Sequence, residues 1–304
     1  MTRIIPRELI KHLEWTPGQE EPHKPVVDSK SQFIRQKTIS IDDILKGKTF
    51  FSNEKDAKDK YIGLAVALQE TLEDIGSEGY IATMPELIAA KIKAGKSHDF
   101  WQKWYSVHTE ENIGVDQKGR FYKPNEPVLV LVNGGGILTS ERIFKAYEDG
   151  LISNSARYNP TEFDDLLSGK LPNGESLDLF KLEEIKKGIP NLPHKFGVVM
   201  PYSTAQNTQS GYHQKKEFME NPLVIARAGG IENLESYYEK AKHSDGDLGC
   251  YHPFNGRDAS VPQGRMLFLR DDHGGLNGDG NLNDIGRFVR VSPRSGGKGT
   301  GGSE

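Results

Sequence analysis

Three stretches near the C-terminus decide how this chain is read: Arg265-Met-Leu-Phe-Leu269, then Asp271-Asp-His-Gly-Gly-Leu-Asn-Gly-Asp-Gly-Asn-Leu-Asn-Asp284, then Gly286-Arg-Phe-Val-Arg-Val291. The outer two are short and rich in apolar and β-branched residues, the signature of strands. The block between them holds only Asp, Asn, Gly, His and two Leu, with no Lys or Glu, although both are common elsewhere in the chain. Asn, Asp and Gly tolerate left-handed backbone and make turns, so a glycine-rich surface loop is the plainest reading. A structureless segment of this length within a compact domain is uncommon unless it has a function.

Two functional readings compete with the plain one. Asn277-Gly-Asp279-Gly-Asn281 is similar to the ligand ladder of an EF-hand, with Gly280 at the sixth position and Asn277 and Asp279 at the third and fifth. The first and twelfth positions then fall on Gly275 and Gly286, which carry no side-chain ligand. The stretch before the block also reads as strand, not helix. An EF-hand is therefore set aside, and a looser calcium site stays open. The other reading uses the alphabet of the block. Replacing both adenines of an Asn codon that ends in a pyrimidine yields Asp, Gly, Ser, His, Tyr, Leu, Arg and others. It never yields Lys, Glu, Gln, Met, Trp or a stop, and every residue from Asp271 to Asp284 belongs to the permitted set.

A strand, an Asn/Asp/Gly/His-rich block and a closing strand that begins Ile285-Gly286-Arg287-Phe288 resemble the C-terminal region of the variable proteins of diversity-generating retroelements. The resemblance is clearest over 250–291. Upstream, Thr83-Met84-Pro85-Glu86-Leu87 with Ala89-Ala90 is similar to that family's helix start. The resemblance implies an α+β, C-type lectin-like fold with long loops and insertions, in the branch shared with formylglycine-generating enzyme. It also implies a ligand-recognition function in which adenine-directed mutagenesis diversifies a display surface. Here the closing motif is Gly286-Arg287-Phe288 where the family usually has Gly-Phe-Arg, and the block holds less Tyr, Ser and Arg. The enzyme branch uses a cysteine pair, and Cys250 is the only cysteine in this chain, so no catalysis is carried over. The display residues implied are Asp271, Asp272, His273, Gly274, Gly275, Asn277, Gly278, Asp279, Gly280, Asn281, Asn283 and Asp284. Asn255, Arg257 and Asp258, in a loop of similar alphabet, join them.

Composition agrees with a water-exposed globular chain. Its 304 residues suffice to bury a sizeable core, and a single cysteine excludes an intrachain disulfide. Lys and Arg number 39 against 43 Asp and Glu, a net charge of −4 that lacks the basic footprint of a nucleic-acid binder. No run approaches the roughly 18 apolar residues that span a bilayer, and none near the N-terminus is long enough for a signal peptide. The expectation is a protein cytoplasmic as made, with virion- or cell-surface association left open. Its partner would be a protein or other macromolecule. No cofactor is implied; calcium is the one ion left open.

Working back from the block, the chain divides into an N-terminal arm over 1–50 packed on the domain, a domain over 51–292 and a flexible tail over 293–304. Residues 39–45 read as a short strand leading into a helical turn. Apolar spacing at Tyr61, Leu64, Ala65, Leu68 and Leu72 predicts a helix over 56–74. Thr83 before Pro85 predicts a capped helix over 85–95. Pro127-Val-Leu-Val-Leu-Val132 predicts a buried strand, followed by the Gly134-Gly135-Gly136 turn and a helix over 139–149. Further on, the patterns predict a charged helix near 178–188, a strand at 197–200, a polar loop over 201–214, a strand over 222–226 and a helix over 231–242.

Other candidate sites are weaker. Gly134-Gly135-Gly136 after a strand is the alternative enzyme reading, a nucleotide- or cofactor-binding turn, although Thr139 stands where the dinucleotide fingerprint needs its third glycine. Cys250 and His252, with His243 and His273, are a loose zinc candidate that lacks paired spacing. Trp101 and Trp104 read as core before they read as a stacking platform.

Overall fold

The Val128–Val132 run is buried on both faces, which is why it shows no alternation. Leu129 and Leu131 enter one apolar cluster, and Val128, Val130 and Val132 enter the other. In this computed structural model the described residues are 40–75, 79–254, 256–270, 275–278 and 282–292. All belong to one compact unit, Lys37–Glu304. The expected arm over 1–39 and tail over 293–304 lie outside them. Residues 40–50, expected as part of that arm, instead hold a helix (Ile41–Leu45) capped by Ser40 and most of a strand.

The strands among the described residues are, in chain order, β1 (Lys48–Ser52), β2 (Tyr80–Ile81), β3 (Tyr105–Asp116), β4 (Glu126–Asn133), β5 (Ala156–Arg157), β6 (Asp178–Lys181), β7 (Phe196–Pro201), β8 (Gly211–Gln214), β9 (Asp247–Tyr251), β10 (Gln263–Leu269), β11 (Leu276–Asn277) and β12 (Gly286–Val291). The large sheet runs β6-β7-β4-β3-β10-β11-β9-β8, with β5 paired to β10. A small sheet runs β1-β12-β2. There β1 and β12 pair antiparallel from opposite ends of the unit, with Phe50 opposite Phe288. The two strands predicted around the polar block are thus β10 and β12, and they belong to different sheets.

Several elements follow from local chemistry as expected. The helix Met84–Lys93 begins with a capping box between Thr83 and Glu86 and carries Pro85 in its first turn. Thr139 caps the helix Ser140–Asp149, and Leu234–Ala241 is helical.

Others are corrected. The helix expected from 56 begins at Gly63 because Asp56 accepts the amides of Lys58 and Lys60 and Asp59 takes a φ of 61°, turning the chain first. Tyr61 and Leu72, placed on its apolar stripe, are each 39% exposed. The strand expected over 222–226 is the helix Pro222–Ala228. Asn221 accepts the amides of Leu223 and Val224, Pro222 occupies the first turn, and Gly229 ends the helix in left-handed backbone. Capping outweighs the β-branched content there. The loop expected over 201–214 holds a short helix (Tyr202–Gln206) and β8. The charged helix near 178–188 divides into β6 and Leu182–Lys186. Residues 39–45, expected to begin as strand, are helical from Ile41.

Candidate functional site

The polar block is held by its only two apolar residues. Leu276 is 0% and Leu282 1% exposed. Leu276 and Asn277 form β11, antiparallel to β10 at Leu269 and Phe268 and parallel to β9 at Cys250 and Tyr251. The Gly278 amide then donates to the Tyr251 carbonyl at 2.8 Å. At the second anchor the Leu282 amide donates to the Asn154 carbonyl, and the Tyr147 hydroxyl donates to the Leu282 carbonyl. The Leu64 amide donates to the carbonyl of Asp284, fixing the entry to β12. Of the predicted display residues, Asp271, Asp272, His273, Gly274, Asp279, Gly280, Asn281 and Asn255 lie outside the described residues. Asn283 and Asp284 are half-buried, and Asp258 is exposed with its carboxylate accepting from the amide and hydroxyl of Ser260.

Four predicted display residues need correction. Asn277 is 2% exposed, locked between two strands. Gly275 has a φ of +57°, and a β-carbon there would lie 1.7 Å from the Gly249 carbonyl oxygen. A β-carbon on Gly278 would lie 2.4 Å from Arg227 Nη2 and 2.8 Å from Glu111 Oε2. Arg257 is 5% exposed and donates to Gln263 Oε1 at 3.0 and 3.2 Å and to the Ser155 hydroxyl, tying its loop to β10. These four residues are buried and present no side chain to solvent. Asn277 also occupies the third position of the calcium alignment, and it faces the interior. The sequence signal that separates Leu276 and Leu282 from their neighbours was available: they are the only apolar letters in the block.

Beneath β11 lies a buried ionic cluster that no sequence motif announced. Glu111 on β3 is fully buried and accepts from Arg227 Nε and Nη2 at 2.9 and 2.7 Å, and from Arg265 Nη2 at 3.1 Å. Burial pushes the Glu111 carboxyl up, but the two guanidinium groups outweigh it and hold the group below its ordinary range. Arg227 Nη1 donates to the carbonyls of Leu276 and Tyr251, so the cluster fixes β9 and β11 directly. Cys250 lies against Arg227, and burial pushes its thiol up to about 11, which makes it a poor metal ligand.

The Gly134-Gly135-Gly136 turn is occupied by the protein itself. Glu110 Oε1 accepts the amides of Gly136 and Leu138 at 2.8 and 3.0 Å, and Oε2 accepts that of Ile137 at 3.1 Å. The amides that would cradle a phosphate hold an internal carboxylate, which overturns the cofactor-turn alternative. Burial pushes Glu110 up to about 7 against those hydrogen bonds. Trp101 is core, fully buried and donating its indole N–H to the Lys91 carbonyl, while Trp104 is half-buried beside Phe268. Among the described residues, one group could hold a metal ion: His243, Asp245 and Asp247, whose ligand atoms lie within 4.8 Å of one another. Of these only His243 entered the zinc candidate. His252 stacks on Phe254, and His273 lies outside the described residues.

No protein-family model matches the sequence, and no curated protein matches it. A solved structure from Nanoarchaeota, described as the accommodation of massive sequence variation by the C-type lectin fold, is similar at 25% identity. The similarity covers 80% of this chain and 96% of that one, with a TM-score of 0.59. The fold is therefore the C-type lectin fold, α+β as expected. Among the described residues, no helix is long and apolar enough to cross a membrane.

Proposed function

We propose that this protein recognises a macromolecular ligand, without chemistry of its own, through a variable surface carried by the segment between β10 and β12. The observation that carries the reading is the division of labour within 271–284. Its two leucines are buried anchors, its glycines at 275 and 278 permit close packing, and the remaining letters are Asp, Asn, His and Gly. Side chains on loops held by a rigid frame can change without unfolding it. Asn, Asp and His supply adaptable hydrogen bonding, as in antibody loops. The likeness to a C-type lectin fold that accommodates massive sequence variation supports the same reading. The proposed display residues are Asp271, Asp272, His273, Gly274, Asp279, Gly280, Asn281, Asn283 and Asp284, with Asn255 and Asp258 from the neighbouring loop. The proposed source of variation is a diversity-generating retroelement, on the codon alphabet of the block.

The test is deep sequencing of codons 250–292 across the source population, with the flanking DNA searched for a near-copy. Substitutions at the display positions, matching adenines of the near-copy and sparing Gly275, Leu276, Gly278 and Leu282, are expected. A uniform block with no near-copy overturns the reading.

A further inference from the structure

Among the described residues, the interior beside the recognition segment carries more positive charge than it neutralises. Arg227, Arg265 and Arg257 are 0, 1 and 5% exposed, and Glu111, equally buried, pairs with the first two. Arg227 is fully engaged, with Glu111 and two backbone carbonyls. Arg265 spends one nitrogen, Nη2, on Glu111, and among the described residues its buried Nε has no partner. Arg257 donates to neutral acceptors, Gln263 and Ser155. Among the described residues no carboxylate pairs with it, and its buried Nη1 has no partner. His252 is 8% exposed; its ring lies against the Gln209 carbonyl, and among the described residues neither ring nitrogen meets a partner in hydrogen-bond geometry.

These groups share one frame. The His252 ring stacks on Phe254 at 4.9 Å, and the Arg265 guanidinium lies over the same ring at 5.3 Å. The Arg257 amide donates to the Phe254 carbonyl, and the Tyr202 hydroxyl donates to the carbonyls of both Phe254 and Arg257. Burial, reinforced by the charge of Arg257, pushes Arg265 down to about 10 against the pull of Glu111. Leaving a buried charge unpaired is costly, because its hydration is lost without replacement, and such groups in native proteins meet a counter-charge.

We infer that Arg257, Arg265 and His252 form a binding site for a carboxylate at the base of the recognition segment. A carboxylate presents two coplanar acceptors that match guanidinium donors, and a neutral imidazole supplies one further N–H. It also brings the single negative charge that Arg257 lacks, at a smaller desolvation cost than a dianion. The carboxylate comes either from a free small acid or from an aspartyl or glutamyl side chain of a partner. The inference stands apart from the variability of the block, so either reading can fail without the other.

The experiment is calorimetric titration of the full chain at constant ionic strength with acetate, N-acetyl-glutamic α-amide and inorganic phosphate. Saturable one-to-one binding of a carboxylate is expected, weakened at least about tenfold in Arg257→Gln, as for loss of one charge-assisted hydrogen bond. Lys145→Gln, which removes an exposed cation, should leave it unchanged. Should Arg257→Gln not fold, His252→Asn removes a donor without removing a charge and is expected to weaken binding in the same direction. Acetate alone binding assigns the site to a free acid; both carboxylates binding assigns it to a partner's acidic side chain. Phosphate binding tighter than either carboxylate, no saturable binding, or affinity unchanged in the folded variants overturns the site.

Discussion

Gly275 and Gly278 are glycines whose surroundings leave no room for a side chain. The backbone of Gly275 is left-handed and faces the Gly249 carbonyl, so Gly275→Ala meets both strain and collision. Loss of more than about 2 kcal/mol is expected in denaturant melts. Gly278→Ala pushes on Arg227 and Glu111, side chains locked in mutual hydrogen bonds, and is expected to cost about 1–3 kcal/mol. Removing the charge of Glu111 is worse. Glu111→Gln leaves two buried guanidinium groups without their carboxylate and should cost about 3–5 kcal/mol. If Gly275→Ala and Gly278→Ala melt like the parent, these residues are not scaffold and the division within the block is wrong. None of this was visible in composition, because a glycine that permits flexibility and a glycine that permits contact are spelled alike.

At the scale of elements, the turn between β4 and the helix Ser140–Asp149 makes a second prediction. Glu110 is an ordinary carboxyl in the unfolded chain and titrates near 7 in the folded one, because burial outweighs its three amide hydrogen bonds. A carboxyl whose folded pKa is raised holds its proton more tightly when folded. Its contribution is therefore full below about 4.5 and is lost as pH rises through about 7. Stability measured by urea melts should fall over that window, and Glu110→Gln should flatten the slope. A slope unchanged in the variant rejects the assignment. The same turn shows what sequence could and could not tell. The strand, the glycines and the Thr139 cap were legible because their signals lie within a few residues. Glu110 lies 26 residues before Gly136, on another strand, and only the fold brings them together. The helix Pro222–Ala228 was misread for a different reason. Its apolar run fits strand or helix equally, and the deciding signals were the flanking Asn221 and Gly229. The buried arginines were illegible altogether, since a charged letter in a helix or strand reads as surface until its counter-charge is found, here 116 residues from Arg227 and 154 from Arg265.

For the whole molecule, the block joins two sheets. It leaves β10 in the centre of the large sheet and enters β12 in the small one, where β1 from the start of the unit closes the ladder. Both flanking strands are buried: Leu267 and Leu269 on one face of β10, Met266 and Phe268 on the other, and Phe288, Val289 and Val291 on β12. Under the proposed function, a chain built this way separates stability from display. Phe288 is 0% exposed opposite Phe50, so Phe288→Ala removes a large side chain from a closed core and should cost about 3–5 kcal/mol. That corresponds to a fall in Tm of roughly 10 °C for a domain of this size. Substitutions at the proposed display positions Asp279 and Asn281, to Tyr or Ser, should move stability by no more than about 0.5 kcal/mol. The two sets are measured in one series of denaturant melts on the full chain. If the display substitutions destabilise as much as Phe288→Ala, the segment is part of the core's structure and has no freedom to vary. If they leave the melt unchanged while Phe288→Ala collapses it, the frame tolerates the sequence change that recognition by a variable surface requires.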